Sequence, residues 1–161
     1  INKFYVLDLQ PENSFVRFAV EQGLTVFVVS WRNPDASLGH IRWDDYVEQG
    51  PTQAIELACE ISGADQVNAI GWCVGGTLLS SALAVMRSRG DDHVASLTLL
   101  TTLLDFTEPG DLGVFIDEAS VAQREMTIGQ GGLYSGGELG FVFQTLRAND
   151  LLWNYVVNNY L

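Results

Sequence analysis

The hydrophobic positions of the chain form three short and nearly continuous runs. They cover residues 24–31, 66–71 and 95–106, and all are rich in β-branched side chains. Continuous apolar runs of this length are typical of strands that are buried on both faces of a sheet, whereas strands with one wet face alternate. The pattern therefore predicts three buried strands.

Helical patterns separate these runs. The first is predicted from Pro11, a residue suited to an opening turn, to Gly23, which suits a helix end. A second covers residues 43–63, and the Gly-Pro pair at 50–51 is expected to break or kink it. The third covers residues 75–89. Strands that alternate with helices predict right-handed crossovers and a parallel sheet, so the fold class is α/β.

The pattern changes after Phe106. No clear strand follows, glycines are frequent, and an aromatic-rich amphipathic segment begins at Asn149. We interpret this part as an insertion, or cap, laid over the sheet. Its glycine cluster at residues 129–140 predicts a loop, with a hinge of the cap as the functional alternative. Core packing is expected for Trp31 and Trp43.

Composition excludes several classes of protein. The 161 residues are 47% hydrophobic and 17% charged, which is typical of one globular domain. The net charge of −12 would repel nucleic acid. No apolar run is long enough for a membrane span, and no signal peptide is recognised. The chain begins at Ile1 without a cap or turn, so we expect a chain cut at its start.

The two cysteines, Cys59 and Cys73, suggest neither a disulfide framework nor a zinc site, and no other residues have metal-ligand spacing. Cys59 lies within a helical pattern and is expected in the core. Reduced thiols suit a cytosolic protein.

Cys73 stands in the sequence Gly71-Trp72-Cys73-Val74-Gly75, where a predicted strand turns into a predicted helix. This is the context of the G-x-S-x-G elbow that holds the nucleophile of α/β-hydrolases. The strained backbone there is expected to require glycine two residues before and two residues after the nucleophile. The N-terminus of the following helix favours thiolate over thiol. The motif therefore indicates a cysteine nucleophile.

Other interpretations of these glycines are weaker. A phosphate-binding P-loop needs lysine where Thr77 stands, and a dinucleotide-binding fingerprint needs glycine in place of Cys73. The motif alone leaves open that Cys73 is a small buried residue in a tight turn.

Long segments of the chain resemble the polyhydroxyalkanoate (poly-3-hydroxybutyrate) synthases, in particular class I. They include "INKFYVLDLQPENSFVRFAVEQGLTVFVVSWRNPDAS", "AIGWCVGGT", "LTLLTTLLDF" and "LRANDLLWNYVVNNYL", and the resemblance covers essentially the whole chain. It implies an α/β-hydrolase fold, present in part, with a mainly helical cap. Residues 1–106 would form the central part of the catalytic core, and residues 107–161 the beginning of the cap.

The resemblance also implies an activity. Enzymes of this family are acyltransferases that polymerise (R)-3-hydroxyacyl groups from coenzyme A thioesters, in class I typically 3-hydroxybutyryl, and release coenzyme A. The nucleophile carries over to Cys73, and the backbone N–H groups of Val74 and Val6 to the oxyanion hole. No cofactor or metal is implied, since the thioester is itself the substrate.

The catalytic aspartate and histidine of the family follow the cap, so this chain alone is expected to be inactive. His40 and His93 are expected to be solvated or locally bonded. Asp105, at the end of a predicted strand, is left open between a catalytic acid and an anchor for the cap.

The resemblance implies a homodimer formed through the cap, and a cytoplasmic enzyme associated with polymer granules. The aromatic segment at the end of the chain could contact a second copy or be buried within its own chain. Two further hypotheses remain: a thioesterase-like hydrolase with a cysteine in its elbow, and a non-catalytic segment that binds granules or a partner.

Overall fold

The structure, a computed structural model, describes residues 3–160. They form two units. The first contains residues 3–33 and 41–104, and the second contains residues 34–40 and 105–160. The assignment of residues 1–106 to a catalytic core and of residues 107–161 to a cap stays a prediction.

The first unit contains a parallel two-stranded sheet. Strand β1 (Val67–Trp72) pairs with β2 (Val94–Leu100), and the register runs from Asn68 opposite Ser96 to Trp72 opposite Leu100. A long helix connects the two strands, as a parallel pair requires. The predicted α/β class and parallel sheet are confirmed. The third predicted strand, expected at residues 95–106, is shorter than expected, because Thr101 adopts a left-handed backbone with φ 47° directly after Leu100.

The predicted strand at residues 24–31 is wrong. This segment is irregular, and it forms no ladder with β1 or β2. Three of its apolar side chains, those of Phe27, Val28 and Val29, are exposed. Local β propensity cannot make a strand without a neighbouring backbone to satisfy its N–H and C=O groups, and none of the described segments pairs with this one.

Burial of both sheet faces was also expected, and it is not found. Val67 and Ala69 pack against the helices, whereas Ile70 and Trp72, on the opposite face of β1, are about half exposed. The described helices of the first unit therefore cover one face of β1.

The first helix is confirmed with a modified start. Pro11–Asn13 form a short 3-10 turn, and helix α1 (Phe15–Glu21) follows it. The Oγ of Ser14 accepts a hydrogen bond from the Arg17 N–H at 2.8 Å, which caps the helix. The chain leaves the helix through Gly23 with φ 83°.

The second helical region is continuous through its proline. Helix α2 (Trp43–Val47) runs through a π turn (Glu48–Thr52) into helix α3 (Gln53–Ser62). Of the break or kink expected at Pro51, the break is absent. The α-helical geometry changes to a π turn there, and this wider turn accommodates a residue that has no N–H to donate. The Trp31 ring packs on this turn, and a Cβ at Gly50 would lie within 3.0 Å of it.

Helix α3 ends at Gly63, which has φ 70° and donates its N–H to the Cys59 carbonyl at 2.8 Å. A Cβ at position 63 would meet no atom within 4 Å, so only the backbone conformation opposes a side chain there. We expect Gly63→Ala to lower the free energy of unfolding by about 1 kcal/mol, measured by urea denaturation. Gly63→Asn should cost less, because asparagine tolerates this conformation. Equal stability of all three proteins would contradict the prediction.

The core of the first unit lies between these helices and β1. Helix α4 (Val74–Ser88) is central: Leu78 and Ala82 pack on Val47, and Leu79 and Met86 pack on Ile55. Cys59 is buried as expected, and Trp31 is partly buried beside Tyr46. The core position predicted for Trp43 is wrong.

Trp43 is 46% exposed because it occupies the first position of the short helix α2. Its indole Nε1 lies 3.4 Å from the Ser81 Oγ on α4. The contact that the ring makes with α4 is therefore at the surface.

The second unit is helical in its described residues. A 3-10 turn (Gly110–Phe115) is followed by the helices α5 (Glu118–Thr127), α6 (Gly136–Leu146) and α7 (Asn154–Tyr160), with a π turn (Asn149–Trp153) before α7. The glycine cluster is a loop only as far as Ser135. Ser135 caps α6, so the rest of the cluster is helical, contrary to expectation. None of the helices within residues 3–160 is long and apolar enough to cross a membrane.

Candidate active site

Cys73 occupies the corner between β1 and α4. Its backbone has φ 53° and ψ −127°, a conformation that L residues adopt only at a cost of about 1–3 kcal/mol. Its N–H donates to the Leu100 carbonyl at the end of β2, at 2.9 Å. The residue is exposed. The strained corner therefore presents Cys73 at the surface of the first unit, not in an apolar interior.

Helix α4 begins with unused donors. The N–H groups of Gly76 and Thr77 both bond to the Cys73 carbonyl, at 2.9 and 3.3 Å. Among the described hydrogen bonds, none uses the N–H of Val74 or Gly75. Unpaired N–H groups at a helix start favour negative charge nearby. This end of α4 can therefore stabilise an oxyanion that forms beside Cys73.

The glycines of the motif have unequal roles. A Cβ at Gly71 would lie 3.0 Å from the Gly76 nitrogen and closer still to the Gly76 Cα, so glycine is required there. The collision expected at Gly75 is wrong: apart from its own helix backbone, nothing described lies within 4 Å of a Cβ at that position. The crowded position on α4 is Gly76, because the first turn of α4 brings that residue against Gly71 and Thr102.

The corner has the geometry of a nucleophile elbow, with cysteine in place of serine. Residues 6–161 match a family model described as the alpha/beta hydrolase fold. The chain belongs to the α/β-hydrolase fold family.

Known relatives of this α/β-hydrolase chain are polymerases. It is 58% identical over 166 residues to the poly(3-hydroxyalkanoate) polymerase subunit PhaC of Cupriavidus necator, and 47% identical over 161 residues to that of Rhizobium meliloti. It is 44% identical to the poly(3-hydroxyalkanoate) polymerase of Methylorubrum extorquens. Each comparison covers 100% of this chain but only 28%, 26% and 27% of the relatives. The resemblance to part of a polyhydroxyalkanoate synthase is confirmed.

Both oxyanion donors, the backbone N–H groups of Val74 and Val6, stay predictions. Val6 lies in a 3-10 turn (Phe4–Leu7), and its N–H donates to the Lys3 carbonyl at 3.0 Å. The Val6 N–H would become available to a substrate only when this turn opens. The N–H of Val74 needs no such change.

The two histidines lie in different units. His93 precedes β2, at the end of the sheet opposite the elbow, and its Nδ1 lies 2.6 Å from the Asp91 carboxylate. The His93 N–H also bonds to this carboxylate and holds the pKa of Asp91 below its ordinary value. His93 is locally bonded, as expected. His40 is an exposed turn residue of the second unit.

Asp105 is engaged by its own loop. Its carboxylate accepts hydrogen bonds from the N–H and the Oγ1 of Thr107, at 2.9 and 2.7 Å. The N–H bond is the larger cause that lowers the pKa of Asp105. The lowered pKa keeps the carboxylate ionised, which suits a triad acid and an anchor for the cap alike, so both roles of Asp105 stay predictions. Within residues 3–160, no cluster of His, Cys, Asp and Glu could hold a metal ion.

Sequence reasoning missed three residues that make contacts at the elbow: Gly76, Thr77 and Thr102. The Gly75-Gly76 doublet was a visible signal that two glycines, not one, follow Cys73. Thr102 gave no signal, because it lies 29 positions further along the chain.

Proposed function

We propose that the chain is the segment of a polyhydroxyalkanoate polymerase that carries its nucleophile, Cys73. The observation that carries the proposal is the exposed Cys73 in a left-handed elbow, directly before two unused N–H groups. Similarity to the polymerases over the full chain supports it. The enzyme would be an acyltransferase for (R)-3-hydroxyacyl coenzyme A, with 3-hydroxybutyryl as the expected acyl group.

The proposed reaction has two steps. The Cys73 thiolate attacks the thioester carbonyl, the bond from that carbon to the coenzyme A sulfur breaks, and coenzyme A leaves as a thiolate that takes up a proton. The hydroxyl of the next 3-hydroxyacyl group then attacks the carbonyl carbon of the Cys73 thioester. The bond from that carbon to the Cys73 sulfur breaks, Cys73 leaves as a thiolate, and the proton of the hydroxyl passes to a base. In both steps the Val74 N–H would stabilise the oxyanion, with Val6 as the second candidate. A thioester supplies its own driving force, so we propose no cofactor.

The remaining partners are also proposals. The described surface carries exposed aromatic side chains at the end of the chain: Trp153 at 58%, Tyr155 at 70% and Tyr160 at 87%. These side chains are available to a second copy or to a polymer granule in the cytoplasm. The net charge of −12 indicates that the phosphates of coenzyme A bind elsewhere in the enzyme.

A chimera tests the function. The Cupriavidus necator polymerase would carry this chain in place of the segment that it matches, which we call the chimera below. We expect the chimera to release coenzyme A from 3-hydroxybutyryl coenzyme A and to form insoluble polyester. Release of coenzyme A together with free 3-hydroxybutyrate would indicate the thioesterase alternative. No release by a folded chimera would favour a non-catalytic, granule-binding or partner-binding segment.

The 161-residue chain alone is expected to form no polymer. His93 is held by Asp91 at the end of β2 opposite the elbow, so it is not placed to accept a proton at Cys73. Coenzyme A release and polymer turbidity would be measured for the purified chain, with the chimera as the positive control. Sustained polymer formation by the chain would contradict this expectation.

A further inference from the structure

Thr102 contacts the Cys73 elbow from the segment that follows β2. Its hydroxyl donates toward the Leu100 carbonyl at 3.2 Å and lies 3.5 Å from the Gly71 carbonyl. The same Leu100 carbonyl accepts the N–H of Cys73. One hydroxyl therefore lies beside the end of β1 and beside the backbone bond that holds Cys73.

The Thr102 side chain also touches the first turn of α4. A Cβ at Gly76 would overlap it, with the Oγ1 and both carbons of the side chain all within 3.0 Å. Gly76 therefore leaves the space that the Thr102 side chain fills. Thr102 thus contacts both residues, Gly71 and Gly76, whose close approach shapes the elbow.

Two further observations concern the segment that contains Thr102. Thr77, on the first turn of α4, donates its hydroxyl to the Leu103 carbonyl at 2.8 Å, which ties the helix start to the same segment. Thr101 holds a left-handed backbone with φ 47°, a conformation that a β-branched residue adopts only under constraint. The turn at Thr101 precedes both contacts.

We propose that Thr102 is a positioning residue of the elbow, an inference that rests on the proposed role of Cys73 as nucleophile. The Thr102 hydroxyl holds the strained Cys73 backbone against the end of β2, so that Cys73 stays beside the unused N–H groups of Val74 and Gly75. Without this hydroxyl, the Cys73 backbone relaxes toward an ordinary conformation and the side chain leaves its exposed position at the corner.

Alkylation of Cys73 tests the inference without any assumption about the substrate. The full chain would be treated with iodoacetamide below its unfolding temperature, and peptide mass mapping would score Cys73 separately from Cys59. We expect Thr102→Val to slow alkylation of Cys73 about fivefold. Thr102→Ser, which keeps the hydroxyl, should stay within about twofold of the unchanged chain. Thr98→Val makes the same substitution at an exposed position of β2 and is the matched control.

Turnover of the chimera provides the second measurement. We expect Thr102→Val to lower kcat about tenfold with an unchanged KM, because positioning acts on the reacting group and not on substrate affinity. Thr102→Ser should restore kcat.

The outcomes separate the inference from the proposed function. If Thr102→Val slows alkylation of Cys73 but the chimera shows no turnover, the positioning role is supported and the polymerase proposal is contradicted. If the chimera is active and Thr102→Val changes neither its kcat nor the alkylation rate of Cys73, the inference is overturned and the proposed function is unaffected. Equal losses in Thr102→Ser and Thr102→Val also overturn it, since the hydroxyl is then not the cause. Should Thr102→Val fail to fold, Thr102→Ala removes the hydroxyl without added bulk, and an unchanged rate in that variant overturns the inference.

Discussion

Cys73→Ala is expected to lower the release of coenzyme A by the chimera at least about 1,000-fold, because no other group described at the elbow can form the acyl thioester. The exposed, strained position of Cys73 at the start of α4 is the reason for this expectation. The measurement is the initial rate of thiol release from 3-hydroxybutyryl coenzyme A. Mass spectrometry should find an acyl group on the peptide that contains Cys73 in the unchanged protein, and none in the variant.

Cys59→Ala is the matched control for this substitution. Cys59 is also a free thiol, but it is buried in α3, and its Sγ lies 4.0 Å from two backbone carbonyls. The substitution should keep turnover within a few-fold and lower only stability. Polymer formation by the Cys73→Ala protein, or loss of turnover in Cys59→Ala equal to that in Cys73→Ala, would contradict the assignment of the nucleophile.

Gly71→Ala should lower the free energy of unfolding by about 3 kcal/mol, since the added methyl group meets backbone that no rotamer change can move. It would lie 3.0 Å from the Gly76 nitrogen and 3.3 Å from the Gly75 carbonyl oxygen, with the Gly76 Cα nearer than either. Relief requires β1 and α4 to separate. Urea denaturation of the chain, followed by circular dichroism, measures the loss.

Gly75→Ala provides the comparison that isolates this effect. The motif treats the two glycines alike, but a methyl group at position 75 points into open space. The free energy of unfolding should therefore stay the same or rise by about 0.5 kcal/mol, as for glycine to alanine in a helix. A loss in Gly75→Ala as large as that in Gly71→Ala would show that the first turn of α4 is packed differently from the structure.

The elements that sequence reasoning placed well are those defined by short-range pattern. Helix α4 and strand β1 were predicted to within a residue or two, because a 3.6-residue period and a continuous apolar run are both readable in a single segment. The irregular segment at residues 24–31 has the same apolar character as β1 and yet forms no strand. A strand depends on a partner, and a pattern along one segment does not report on its neighbours.

The elbow, too, was predictable from the sequence only in part. The G-x-C-x-G spacing predicted a corner at Cys73, and the structure has a left-handed residue there. Which glycine is crowded was not readable, since it depends on how α4 approaches β1. The motif suggested Gly75, whereas contacts with Gly71 and Thr102 select Gly76.

The sequence by itself determined the α/β class, the corner that contains Cys73 and the resemblance to the polymerases. Each of these depends on residues that lie close together along the chain. Only the tertiary structure decided the one-sided cover of β1, the role of Gly76 and the contact of Thr102 with the elbow. These features join residues tens of positions apart, and their energies depend on distances between atoms that no local pattern encodes.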